Sequence, residues 1–264
     1  MISQLRSRSS RTFCEVEMNT KPVIYMLHGA WHSPAYFVTV KSKFEARGYK
    51  VISPQVPTSG AVPPTKTLYD DADFVRGELE PLIEHGQDVV LVMHSYGGVV
   101  GTQAAAGLGK AERQNRGLKG GIVHLFYACS FIVALGQSLC DPLGGKLAPW
   151  IKAEDDGSCN PMDPEQLFYQ DLPADQQKYW AAQLKHHVAQ SQLDPVNRVA
   201  YKNIPVSYLY CENDQALPLQ FQKLMVKQCG VEVKEYTCDA GHSPFLSQPD
   251  MFVDCIVQAA ESTT

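Results

Sequence analysis

Absences narrow the field before any motif is read. The chain of 264 residues contains no apolar run near the roughly 18 residues a membrane-crossing helix needs, and its first residues lack the apolar core of a secretory signal. Charged residues are 19% of the total and sum to −5, so there is no basic excess to follow a nucleic acid or an acidic membrane surface. The eight cysteines, Cys14, Cys129, Cys140, Cys159, Cys211, Cys229, Cys238 and Cys255, form no C-x-x-C pair, and several sit in apolar runs. That pattern favours reduced, packed thiols over a disulfide framework or a zinc site. His186 and His187 are adjacent and would diverge by about 100° on a helix, so they make no i, i+4 ligand pair. GLGK at 107–110 lacks the hydroxyl residue and spacing of a nucleotide-binding loop. The expectation is a cytoplasmic protein with no metal, no cofactor, no nucleic-acid partner and no membrane contact, acting on a small molecule. Oligomeric state is left open, a homodimer included.

What is present is a core of alternating strands and helices. With 44% hydrophobic residues the chain is long enough for one large α/β domain. Strand patterns at 23–27, 50–55, 89–93, 122–128, 206–211 and 232–238 alternate with helical patterns at 33–47, 68–83, 99–107, from 218 onward, and at 249–260. This alternation means a mostly parallel sheet of about six strands with helical crossovers, whose active-site loops lie at the strand C-termini. Residues 109–121 read as a polar surface connection. Residues 1–20 have the arginine- and serine-rich composition of an organelle transit peptide; the alternatives are a disordered tail, or a start called early with Met18 as the working start. Between 136 and 203 prolines and aromatics cluster without a strand of comparable quality. The reading is a helical cap inserted into a core of 21–135 and 204–264, roofing the site and shaping its pocket. Trp150, Phe168, Tyr169 and Trp180 are its candidate substrate contacts, with His28 and Trp31 from the core.

The centre of the pattern is DVVLVMHSYGGVVG at 88–101. A β-branched strand run stops at Ser95, glycines follow at once, and a small-residue helix begins. Strand, serine on a tight turn, then helix is the context of a nucleophile elbow, with the N–H of Tyr96 aimed at an oxyanion. Met93 stands where G-x-S-x-G has its first glycine, a position that usually stays small. A second oxyanion donor is expected at Ala30, where the strand 23–27 opens through His28-Gly29. Asp214 and His242 each follow a strand, so Ser95, Asp214 and His242 occur in the chain order of such a triad. Histidine with a reference pKa near 6.5 can shuttle the proton at neutral pH, and a carboxylate on its far nitrogen orients it. Glu212 and Asp239 compete for that third role. Asp214 is preferred because Asp239 is too close to His242 in sequence to orient it easily.

HGAWHSPAYF (28–37), HSYGG (94–98), YACSF (127–131), CENDQALP (211–218) and GHSPFLSQP (241–249) together resemble the α/β-hydrolase superfamily, and more narrowly its hydroxynitrile lyase and plant methylesterase branch with fungal relatives. The resemblance implies that fold, without the extra N-terminal hairpin of larger members, and the triad Ser95, Asp214 and His242. The lyases of this branch carry threonine where Gly29 stands and lysine where Ser243 stands, and the departure here argues for ester hydrolysis. The leading expectation is a serine hydrolase of a carboxylic ester, thioester or lactone. The alternatives are a C–C lyase or cyclase on the same site, and a non-catalytic ligand-binding protein of this fold.

Overall fold

A computed structural model describes residues 21–262; the tail reading of 1–20 and Cys14 lie outside it. The chain runs β1 (Val23–Leu27), a 3-10 turn at Pro34–Phe37, α1 (Val38–Ala46), β2 (Val51–Ile52), α2 (Leu68–Glu84), β3 (Asp88–His94), α3 (Gly97–Ala104), α4 (Lys110–Gln114) and β4 (Gly121–Ala128). An insertion follows, with β5 (Ile151–Ala153), β6 (Ser158–Pro161), α5 (Pro164–Phe168), α6 (Ala174–Ala181), β7 (His187–Val188) and α7 (Gln190–Leu193). The core resumes with β8 (Val206–Cys211), α8 (Leu219–Cys229), β9 (Val233–Cys238), α9 (Pro244–Ser247) and α10 (Pro249–Glu261).

Six strands form one parallel sheet in the order β2-β1-β3-β4-β8-β9. The apolar run of β1 is buried at every position and β3 at all but its first, as expected of strands covered on both faces. At the sheet edge β9 is largely exposed, so it tolerates Lys234 and Glu235. α2 starts on a capping box in which Thr67 and Asp70 bond each other's backbone N–H groups, satisfying donors the first turn leaves orphaned.

Four local expectations are corrected. The run 50–55 gives only Val51 and Ile52 to the ladder, because Pro54 has no N–H to donate and the chain then turns away. The helical pattern at 33–47 begins as a 3-10 turn at Pro34–Phe37 and becomes α-helical only at α1. The polar connection after α3 carries the short helix α4. The insertion is not purely helical: β5, β6 and β7 pair antiparallel into a second sheet. These strands are two to four residues long, too short for alternation to be visible in sequence.

The elbow region is packed by its glycines. A β-carbon on Gly97 would lie 2.8 Å from the Leu27 carbonyl oxygen, and one on Gly101 would collide with Met93 Sδ. The space that the motif's first glycine usually leaves is supplied instead by Gly101 on α3, which explains how Met93 is accommodated at that position.

Candidate active site

Three loops at the C-terminal ends of strands converge on one point. Ser95, one residue past β3, has φ +53°, a left-handed conformation that costs a non-glycine residue about 1–3 kcal/mol. Its carbonyl oxygen is held by three donors: Gly98 N at 3.0 Å, Phe131 N at 3.1 Å and Ser130 Oγ at 2.8 Å. Because the peptide is planar and trans, fixing that oxygen turns the Tyr96 N–H to the opposite side.

The same device operates beyond β1. The Gly29 carbonyl accepts from His28 Nδ1 at 2.8 Å and from His32 N at 3.3 Å, which orients the Ala30 N–H. Trp31 then bends the chain with φ +65°. Neither the Ala30 nor the Tyr96 N–H is given to another acceptor among the described residues.

His242 Nε2 lies 3.0 Å from Ser95 Oγ, and its Nδ1 lies 2.7 Å from Asp214 Oδ2. Asp214 Oδ1 accepts the N–H groups of Ala216 and Leu217, each at 2.8 Å. An ionised carboxylate only accepts, so Nδ1 carries the proton and Nε2 is free to accept from the serine. Asp239, the rival carboxylate, is exposed and takes the amide of Gln248 at 2.6 Å. Glu212 is exposed too.

Sequence reasoning missed the partners that hold these loops. His94 Nε2 donates to the His242 carbonyl at 2.8 Å, and the Cys129 thiol donates to the same oxygen at 3.3 Å. From the insertion, Asp171 accepts the Gly241 N–H at 2.7 Å and Gln170 donates to the Asn213 carbonyl at 2.7 Å. Behind Tyr96, its hydroxyl and that of Thr58 both donate to Asp71, while His187 Nε2 meets the Thr58 hydroxyl at 2.9 Å. Each of these side chains reaches its partner from a different stretch of chain, so no local motif announces it.

Burial sets the charge of this region. It pushes His28 down to about 4, His32 and His187 to about 3, and His94 well below the usual range, so these rings are neutral at neutral pH. Burial raises the Asp71 carboxyl to about 7 and the Cys129 thiol to about 11. Candidate ligand atoms of His94, Cys129 and His242 fall within 4.8 Å of one another. His94 and the protonated Cys129 already spend their hydrogens on the His242 carbonyl, so the cluster works as a donor pair.

A cavity of about 590 Å³ opens beside Ser95 and His242 and includes Ala30, Tyr96, Trp31 and Trp150. The other four expected contacts are not in its lining. His28 is fully buried and its Nε2 accepts the Val56 N–H. Phe168 packs between Trp31, at 5.8 Å, and His242, at 5.5 Å. The Tyr169 hydroxyl bonds His32 Nε2 at 2.9 Å, and Trp180 lies against Tyr36 with ring centroids 4.9 Å apart. Their apolar area serves packing. The lining contains instead Leu139 and Ile151 from the insertion and Phe221, Leu224 and Met225 from α8. A second depression of about 570 Å³ contains none of these residues; it is lined by Lys110, His124 and Lys234 among others. No helix among the described residues is long and apolar enough to cross a membrane.

The class follows from this architecture, and comparison with known proteins agrees. The profile described as "Alpha/beta hydrolase family" matches residues 24–255, and the chain belongs to that family. It is similar to an α/β hydrolase of Aspergillus novofumigatus, 30% identical over 91% of this chain and 97% of that one. Among solved structures it resembles a pyrethroid hydrolase of Sphingobium faniae, with TM-score 0.71, 20% identity and coverage of 91% and 98%. A methylesterase from Arabidopsis gives TM-score 0.72 at 18% identity, covering 91% of this chain and 99% of that chain.

Proposed function

We propose that this chain is a serine hydrolase acting on a carboxylic ester, thioester or lactone, with residues 136–203 as the cap over its site. The observation that carries the reading is the unbroken path Asp214–His242–Ser95, with contacts of 2.7 and 3.0 Å, set beside two unspent backbone N–H groups. Ser95 Oγ adds to the substrate carbonyl while its proton passes to His242 Nε2, and the N–H groups of Ala30 and Tyr96 receive the oxyanion. The bond to the leaving alcohol breaks as that alcohol takes the proton from Nε2. Water then gives a proton to Nε2 and adds to the acyl carbon; Ser95 leaves with that proton, and the acid is released.

Two features support hydrolysis over the lyase chemistry of the resembled branch. A β-carbon on Gly29 would lie 2.8 Å from Ser95 Cβ and 3.1 Å from His94 Nδ1, leaving no room for threonine. Ser243 is fully buried and carries no charge. The relative and fold neighbours named as hydrolases or a methylesterase are in keeping with this reading.

The test is covalent labelling with a small organophosphonate, read by intact mass and peptide mapping. One adduct on Ser95, lost in Ser95→Ala, is expected, together with a fall in ester turnover of about 10⁴-fold or more in that variant. Oxygen-18 from labelled water should appear in the acid product. No adduct on folded protein sinks the nucleophile assignment, and a product without solvent oxygen points to the lyase or cyclase chemistry.

A further inference from the structure

If Ser95 attacks an ester, the walls of the adjoining cavity restrict which ester. At about 590 Å³ it falls in the middle of the range for small-molecule sites. Its apolar walls include Trp31, Trp150, Ile151, Leu217, Phe221 and Met225. No lysine or arginine is among the lining residues. The single acidic side chain there, Asp141, is engaged at both oxygens, by the Ser138 N–H at 3.1 Å and the Ser138 hydroxyl at 2.8 Å. An anionic substrate therefore meets no counter-charge and loses its water on entering.

Polar function in the lining comes mainly from glutamines. Gln137, Gln215 and Gln228 are exposed at the cavity edge, whereas Gln192 on α7 is 2% exposed. Its Nε2 has only the Cys159 sulfur, 3.5 Å away, a weak acceptor. One Nε2 hydrogen is therefore unspent, and Oε1, which is not fully enclosed, takes no hydrogen bond from any described residue. Buried amides are normally paired with protein or ligand. The backbone carbonyl of Cys159 accepts the Trp31 indole N–H, at 2.9 Å, so Gln192 and Trp31 are both tied to Cys159.

We propose that the site takes an uncharged, mainly apolar ester and that Gln192 is a specificity-determining residue, pairing with a ketone or hydroxyl oxygen carried away from the reacting carbonyl. This rests on the ester-hydrolase reading and is tested apart from it, by binding to Ser95→Ala, which needs no armed nucleophile.

Two of the three tryptophans, Trp31 and Trp150, line the cavity, so intrinsic fluorescence reports occupancy. The probes are methyl decanoate, a set of methyl ketodecanoates with the ketone moved along the chain, and the anionic monomethyl sebacate. At least one ketoester should bind about tenfold tighter than methyl decanoate, and the anion about tenfold weaker or less. Adding Gln192→Met should collapse the ketone preference to within about twofold, and Gln192→Glu, whose carboxylate donates nothing to a ketone, should reverse it. Thermal unfolding of each variant checks that it is folded, and the ranking in Ser95→Ala alone remains decisive if neither is. Equal binding of ketoester and plain ester, equal binding of the anion, or a ketone preference that survives in a folded Gln192 variant overturns the proposal. Loss of phosphonate labelling with this ranking intact strikes the hydrolase reading instead.

Discussion

The strand tips and the insertion face each other across one cavity but hold their residues by different means. Ala30, Ser95, Asp214 and His242 each lie within a few residues of a strand end, and hydrogen bonds to the backbone N–H and C=O groups fix the peptides around them. In the insertion the wall facing the site is set by side chains against side chains: Trp150 lies 5.7 Å from Trp31, and Phe168 is lodged between Trp31 and His242. A backbone-fixed donor or nucleophile keeps its position when neighbours change, whereas a packed wall changes shape with each residue lost. Chemistry should therefore be sensitive to the first region, and substrate size and stability to the second.

The largest expected contrast lies between two carboxylates near the same histidine. Asp214→Asn keeps the geometry but removes the acceptor that fixes the His242 tautomer, and turnover should fall by about 10³- to 10⁴-fold. Asp239→Asn touches only an exposed contact with Gln248 and should change turnover less than about twofold. Rate measurements on the pair check this; equal losses would mean that the orienting carboxylate is misassigned.

A smaller effect tests the seam where the two regions join. Asp71 on α2 is bonded by Tyr96 of the elbow and by Thr58, which meets His187 of the insertion. Burial raises its carboxyl to about 7, from an ordinary value of 3.8. A folded-state value above the unfolded one means the contribution to stability is complete below about pH 4 and is lost as pH rises through about 7. The loss is on the order of 4 kcal/mol. His187, held at about 3, stays neutral across that window. Asp71→Asn should abolish this slope, so that urea midpoints of wild type and variant diverge between about pH 4 and about pH 7, the wild type falling relative to the variant. Parallel curves would show that Asp71 ionises in the folded protein as it does in water.

The same contrast explains what the sequence discloses. Buried strands ending in His28-Gly29, in Ser95 and before Asp214 announce themselves because the apolar run and the turn are contiguous in the chain, and the exposed edge strand before His242 is marked by the turn that follows it. The parallel order and the elbow were legible for that reason. Trp180 and Tyr169 read like Trp150 in composition, yet only Trp150 lines the cavity, because which face of an aromatic meets open space depends on partners far away in sequence. Gln192, Asp71 and Phe221, Leu224 and Met225 of α8 carry no local signal at all.

Trp150 and Trp180 give the finest test, since both are aromatics of the insertion and both are partly buried. Trp150 lines the cavity and packs on Trp31, so Trp150→Ala enlarges the acyl or alcohol pocket and should raise KM about tenfold for an ester that fills it, with a smaller change for a short one. Trp180 packs on Tyr36, whose hydroxyl donates to the Trp180 carbonyl at 2.8 Å, outside the cavity. Trp180→Ala should leave KM within about twofold and instead lower the unfolding free energy by about 1–3 kcal/mol, less than for a fully buried tryptophan. Steady-state kinetics and urea unfolding on the two variants separate these outcomes. A KM change with Trp180→Ala as large as with Trp150→Ala would mean that the insertion shapes the site as one unit, with no separation between its wall and its core.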